Sequence, residues 1–346
     1  MAESETTLTI EGDAQAAEPL TRVSLSRVGV TGVEKVIRVN HRPATEKDGH
    51  GPKAEDGSLF HADLECLVDL NPEQAGVHMS RFEEVVNEAI DQVVLGEALR
   101  AEELAAHIAQ QVRERQGGMR AEVRISARYP ETVPAPASGM PTQEIYTLFG
   151  TAVASERGTR TLRGVQAQGM TACPCAQGLV EGRARERLAE QGFDDEQNEQ
   201  VIDSVPVATH NQRGIGTLHV GCPEGWAVDI DARDLLRIVE GSMSSEIYEL
   251  MKRSDELAVV EKAHANPRFV EDCVREMIRR VSEAFPDLSG NAFVHARQEN
   301  LETIHRHNVV AERYGLISEI SRELESGEHS RHHTTTREWL EEPAST

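Results

Sequence analysis

The stretch Leu59-Phe-His-Ala-Asp-Leu-Glu-Cys-Leu-Val-Asp-Leu70, closed by Asn71-Pro72, decides how the chain folds. Every even-numbered side chain from Phe60 to Leu70 is apolar, and most of the odd ones are polar. A period of two is the mark of a strand with one face in a core and one in water. Residues 22–39 alternate in the same way and give a second strand. The pattern then changes. Ser80 can cap a helix over 81–95, and Leu104, Ile108 and Val112 stand at helical spacing within 101–115. Alternation returns at 120–129 and, after a Pro/Ala-rich loop at 130–141, at 144–155. This half therefore reads as two strands, two helices and two strands.

The second half repeats the order less cleanly. Strands are expected at 161–169 and 216–221 around an inserted helix at 177–190. Helices follow at 231–248 and 267–284, the latter with Pro267 in its first turn, and then a strand at 292–297. An element order repeated without sequence repetition points to two copies of one α+β unit with antiparallel sheets. The expected organisation is a disordered acidic N-terminus (1–18), one unit over 19–158, a second over 159–326, and a disordered tail (327–346), since both ends are polar and charged.

The chain has 346 residues and a net charge of −23, from 36 basic and 59 acidic side chains. Such a surface repels a phosphate backbone, so no nucleic-acid partner is expected. Only five residues are lysine (35, 47, 53, 252 and 262), which together with the acidic excess reads as a salt-adapted surface from a halophile. The longest apolar runs, such as 28–33, are short and glycine-broken, and no basic-then-apolar leader opens the chain. A cytoplasmic protein with no membrane partner is expected. The five cysteines (66, 173, 175, 222 and 273) are scattered, which argues for free thiols over a disulfide framework.

Three strings can carry chemistry. In Gly169-Met-Thr-Ala-Cys173-Pro-Cys175-Ala-Gln177, a cysteine entering a helix is a metal ligand or a nucleophile. In Ala208-Thr-His210-Asn-Gln-Arg213-Gly-Ile-Gly216, the histidine is a ligand, a proton shuttle or a loop cap, and Arg213 can hold a carboxylate or phosphate. In Glu302-Thr-Ile-His305-Arg-His307, two ligands converge on one face of either a helix or a strand. The segments 246–256 and 266–272 read as amphipathic helices, and 76–81 as a helix start that suits an anion. No GxxxxGK[ST], GxGxxG, GxSxG or HExxH motif is present, so a nucleotide would need another phosphate mode.

Taken together, VSLSRVGVTGVEKV, GVHMSRF, GMTACPCAQ, DSVPVATHNQRGIGT, SSEIYELMKRSDE, NPRFVEDCVREM and ETIHRH resemble the type IB GTP cyclohydrolase family, most closely its archaeal branch. The resemblance spans about residues 22–315. It implies the tunnelling fold, with two tandem ββααββ-like units and a homo-oligomer, dimer or tetramer, whose active sites lie between subunits. It implies one ferrous ion per subunit, with Mn²⁺ or Zn²⁺ as substitutes, on Cys173, His210 and His305, with Glu256 as a fourth ligand. Cys175 and His307 stand beside these and can take their places. It further implies GTP as substrate, opened at C8 with release of formate, and 7,8-dihydroneopterin 2′,3′-cyclic phosphate as the product that feeds pterin synthesis. Catalysis would fall to Cys173, His210 and Glu302, guanine recognition to Glu271, and the phosphates to Arg81, Arg213, Lys252 and Arg253. A nitrile reductase of the same fold, working through a covalent cysteine, is the rival enzyme, and chelation separates the two.

Overall fold

Alternation along β2 (Ser58–Leu70) places Phe60, Ala62, Leu64, Cys66, Val68 and Leu70 on one face, and all six are buried. That face packs on α1 (Met79–Leu95) and α2 (Ala101–Gln116), which contribute Phe82, Val85, Leu104, Ile108 and Val112. Burying one such side chain contributes about 1.5–3 kcal/mol, so this stripe fixes the register of the sheet. The computed structural model describes residues 15, 18–39, 58–95, 100–223, 230–328 and 330–341. The segment 1–18 lies almost wholly outside the described residues.

Before β2 comes β1 (Leu25–Val39). After α2 come β3 (Arg120–Pro134), β4 (Pro141–Ser155) and β5 (Gly158–Ala172). Two helices, α3 (Pro174–Glu190) and α4 (Asp195–Ser204), lead to β6 (Asn211–Cys222) and α5 (Ala232–Gly241). The short β7 (Ser245–Glu246) precedes α6 (Arg253–Ala265) and α7 (Val270–Ala284), and the chain ends with β8 (Phe293–Leu301), β9 (Val309–Leu316), α8 (Ile317–Ser326) and α9 (Thr336–Glu341). One antiparallel sheet runs β1-β2-β3-β4-β5-β6-β8-β9, with β7 beside the end of β5. A single apolar core continues beneath it, joining Leu64 and Ile108 of the first half to Leu218, Leu235, Met277 and Val294 of the second. No helix among the described residues is long and apolar enough to cross a membrane.

Several boundaries differ from the sequence expectation. The segment 130–141 is mostly strand: β3 and β4 form a long hairpin joined only by 135–140. Pro134 and Pro141 sit together at its last rung, and Pro130 lies beyond the Ala62–Ala127 pair that ends the β2–β3 ladder, where β3 is an edge and tolerates proline. α1 begins at Met79, so Ser80 lies inside its first turn. α5 stops at Gly241, and α7 starts at Val270 rather than Pro267. The segment 246–256 is not one helix, because Glu246 pairs in β7 and α6 begins at Arg253. α4 and β9 were not foreseen. The tail expected to be disordered carries α9, whose Trp339 is fully buried against Val153, Leu162 and Phe293. A polar average over the tail concealed this one apolar anchor.

The cysteines are free. Burial pushes the thiols of Cys66 and Cys273 up to about 12. They are inert core residues.

Candidate active site

The end of β5 is where chemistry collects. Ala172 pairs with Asn211 across the β5–β6 ladder, so Cys173 and His210 emerge side by side from the same rung, and the Cys173 N–H donates to the His210 carbonyl at 3.1 Å. Cys173 is the N-cap of α3 in extended conformation, Pro174 takes the first helical position, and the thiol sulfur accepts from the Ala176 N–H at 3.5 Å. The Thr209 hydroxyl donates to the Cys173 carbonyl at 2.7 Å. Gln177 donates to the carbonyls of Val207 (3.2 Å) and His264 (2.8 Å), tying the α3 start to two neighbouring segments.

β6 then pairs with β8, Arg213 opposite Leu301, which brings Glu302 to the same end of the sheet. Its Oε2 lies 3.9 Å from His210 Nδ1, and that oxygen is buried with no hydrogen-bond partner. Such an orphaned acceptor normally costs about 1–3 kcal/mol, so it marks a place prepared for a proton or a cation. His305 and His307 follow on the loop to β9, exposed, their rings stacked at 5.1 Å. The N-terminus of α7 closes the other side, where the Arg268 N–H donates to the Ala172 carbonyl at 2.9 Å.

These elements enclose a cavity of about 460 Å³ lined by Cys173, His210, Gln212, Arg268, Phe269, Val270, Glu271, Asn300, Glu302, His305, His307, Val309 and Val310. Of the residues singled out from sequence, the cavity gathers Cys173, His210, Glu271, Glu302 and His305, together with His307. Cys175 is exposed on α3 and is not part of the lining. Glu256, Lys252 and Arg253 are exposed at the start of α6, outside the cavity. Arg213 points from the opposite face of β6 to Gln212 and is exposed. Arg81 lies in the other half of the molecule, donating to the Arg115 carbonyl at 3.0 Å. Gln212, Arg268 and Asn300 were missed, although Gln212 follows His210 by only two positions, at the start of β6.

A thiol, imidazoles and a carboxylate in one cavity form a donor set suited to a divalent transition metal, and the orphaned Glu302 oxygen fits the same demand. No three His, Cys, Asp or Glu side chains among the described residues are drawn together at ligand distances. The fit is one of donor type and location.

Comparison with known proteins places the chain in a family. Residues 12–311 match the family model described as type I GTP cyclohydrolase folE2. The chain is 40% identical over 318 residues to GTP cyclohydrolase MptA of Methanococcus aeolicus, covering 90% of this chain and 99% of that protein. It is 38% identical to that of Methanocaldococcus jannaschii, covering 91% and 98%. Among solved structures, the uricase of Arthrobacter globiformis overlaps with a TM-score of 0.48 at 9% identity, covering 90% of this chain and 98% of that one. The chain belongs to the type I GTP cyclohydrolase family.

Proposed function

We propose that this protein is a metal-dependent GTP cyclohydrolase that opens the guanine imidazole ring of GTP at C8 and releases formate. The observation that carries the reading is the shared cavity of Cys173, His210, Glu271, Glu302 and His305. Family membership and relatives called GTP cyclohydrolase MptA support it. By the same likeness the product is 7,8-dihydroneopterin 2′,3′-cyclic phosphate, entering pterin synthesis.

Cys173, His210 and His305 would hold one ferrous ion, which supplies Lewis-acid activation of water for attack at C8. The remaining steps fall to the chain's own groups. Glu271, on the first turn of α7 at the cavity wall, accepts from the guanine N–H edge and orients the ring. Of the two groups that could shuttle a proton, His210 is taken up as a ligand, so Glu302, whose buried Oε2 has no other partner, holds and returns the proton that the departing ring nitrogen needs. The apolar wall of Phe269, Val270 and Val309 limits water around the purine.

The phosphate cations Arg81, Arg213, Lys252 and Arg253, and Glu256 as a further ligand, belong to this reading only if a second copy brings them to the cavity. The outer edges of β1 and β9 are unpaired among the described residues, and free edges of this length favour assembly. A homo-oligomer of two-unit tunnelling-fold chains, carried in a salt-rich cytoplasm, follows from this view. Anaerobic incubation with GTP, with and without ferrous iron, tests the reaction. Iron-dependent formate and pterin fluorescence, both lost in Cys173→Ala, are expected. A folded protein releasing no formate with any divalent metal rules the reading out and returns the covalent-cysteine enzyme or a binding module, and formate release that survives chelation rules out the metal dependence.

A further inference from the structure

We propose that Gln212 is a positioning residue that fixes the ring proton of His210 on Nδ1 and so presents the Nε2 lone pair to the cavity. The proposal deepens the metal-site reading above and rests on it for its purpose, though not for its geometry.

The β5–β6 ladder sets Thr171 directly opposite Gln212. Both are buried, at 0% and 5% exposure. The Gln212 carboxamide spans the gap between the core and the site: Nε2 donates to Thr171 Oγ1 at 2.9 Å, and Oε1 lies 2.9 Å from His210 Nδ1. With the amide nitrogen on Thr171 its oxygen faces the ring, and an oxygen there demands a proton on Nδ1; the Thr171 hydroxyl can donate or accept, so the charge that selects this orientation is the Glu302 carboxylate on the same side of the ring. The competing acceptor is Glu302 Oε2, but 3.9 Å is too long for a hydrogen bond. That carboxylate still favours the same tautomer, since a negative charge near Nδ1 attracts its proton. The His210 backbone is already pinned by Cys173, so ring orientation is the freedom that Gln212 removes.

The alternative amide orientation has the opposite consequence. With the NH₂ group toward the ring, Nδ1 would accept and Nε2 would carry the proton, leaving no lone pair for a cation. One buried carboxamide therefore decides whether His210 is a ligand or a donor. Partners that orient a ligating imidazole in this way typically change metal affinity about 10–100-fold when removed.

The test uses full-length wild type, Gln212→Glu and Gln212→Leu. Histidine ring-nitrogen chemical shifts are recorded after stripping with chelator, His210 being assigned by its absence in His210→Gln, and Zn²⁺ affinity is measured by competition with a chromophoric chelator. Expected are an Nδ1-protonated His210 in wild type and a mixed tautomer in Gln212→Leu, with affinity about 10–100-fold weaker. Gln212→Glu, which can only accept, should keep the wild-type tautomer and most of the affinity. If Gln212→Leu fails to fold, Thr171→Val frees the same amide without touching the ring and should give the mixed tautomer. Overturning results are an Nε2-protonated wild type, a wild-type tautomer in both Gln212→Leu and Thr171→Val, or equal loss of affinity in the Glu and Leu variants. A wild type that binds no divalent ion while His210 is Nδ1-protonated removes the metal reading but leaves the tautomer assignment standing.

Discussion

Glu240, on the last turn of α5, accepts a hydrogen bond from the Tyr146 hydroxyl at 2.8 Å. Burial raises its carboxyl to about 7, and the nearby Glu246, Glu131 and Glu144 push in the same direction. An unfolded glutamate titrates near 4.5, so between roughly pH 4.5 and 7 the folded protein binds the extra proton. The stabilisation this group gives is full below pH 4.5 and is lost as pH rises through 7. Glu240→Gln keeps the acceptor for Tyr146 and removes the charge, so its stability relative to wild type should climb over that window and level off above it, as read by urea unfolding at a series of pH values. His219 works in the other direction: burial, with His295 beside it, lowers its imidazole to about 4. The unfolded state then binds more protons below about pH 6.5, and stability falls as the solution is acidified toward 4. His219→Phe should flatten that acid limb. In the cavity, His305→Ala and His307→Ala separate two neighbours that the sequence left equivalent: the ligand is the one whose loss abolishes iron-dependent formate release, and His305 is expected. Cys173, His210, Glu302 and His305 were legible as chemistry because each sits in an unusual string, whereas Glu271 stood in an ordinary amphipathic pattern and was singled out only by the family resemblance. Gln212 was not, because its role depends on Thr171, 41 positions away and visible only through the strand register.

At the scale of elements, α9 shows what a local reading loses. Six residues are too short to announce a helix by periodicity, and the surrounding tail is charged. Trp339 nonetheless fills a pocket against Phe293 and over Gly221, where even a methyl group would meet its ring at 2.5 Å. Its indole N–H donates to the Asn291 carbonyl at 3.0 Å, its carbonyl accepts from Arg160 at 2.7 Å, and the Arg160 guanidinium lies 4.9 Å above the ring. Trp339→Ala should cost about 3–5 kcal/mol. A thermal scan of this variant beside a chain ending at 327 should show both losses to be similar, since one side chain does most of the anchoring. The strands of the first half were readable because a period of two survives intact over a whole element. In the second half, insertions and glycines shorten each run. β9, for instance, buries little of either face and so carries no alternation to detect.

The whole molecule carries a charge of −23, and many of its acids sit in exposed ion pairs with arginine, such as Arg183–Glu186 and Arg275–Asp272. Exposed pairs contribute only about 0–1 kcal/mol each, so net repulsion prevails at low ionic strength. Added salt shortens its range to about 3 Å at 1 M, and the melting temperature should rise from dilute buffer to molar NaCl or KCl. The two halves meet through more than the shared sheet. Arg163 of β5 is paired with Glu102 at the start of α2. At the far end of the β3–β4 hairpin, the backbone N–H groups of Ala137 and Ser138 and the Ser138 hydroxyl all donate to Asp255, which also accepts from the Lys252 N–H. Burial alone would raise that carboxyl, but these donors hold it well below the usual range.

That single carboxylate turns the hairpin into a caliper. Its two arms pair rung by rung from Arg120–Ser155 to Pro134–Pro141, so their length sets where the tip arrives, and the tip must arrive at Asp255. Adding two residues to each arm would keep every cross-strand partner in phase yet carry the tip roughly 7 Å too far, at about 3.4 Å per residue. The hairpin is therefore a gauge whose span the chain cannot change on one side alone. Related sequences should conserve the number of residues between Arg120 and Ser155 more strictly than their identities.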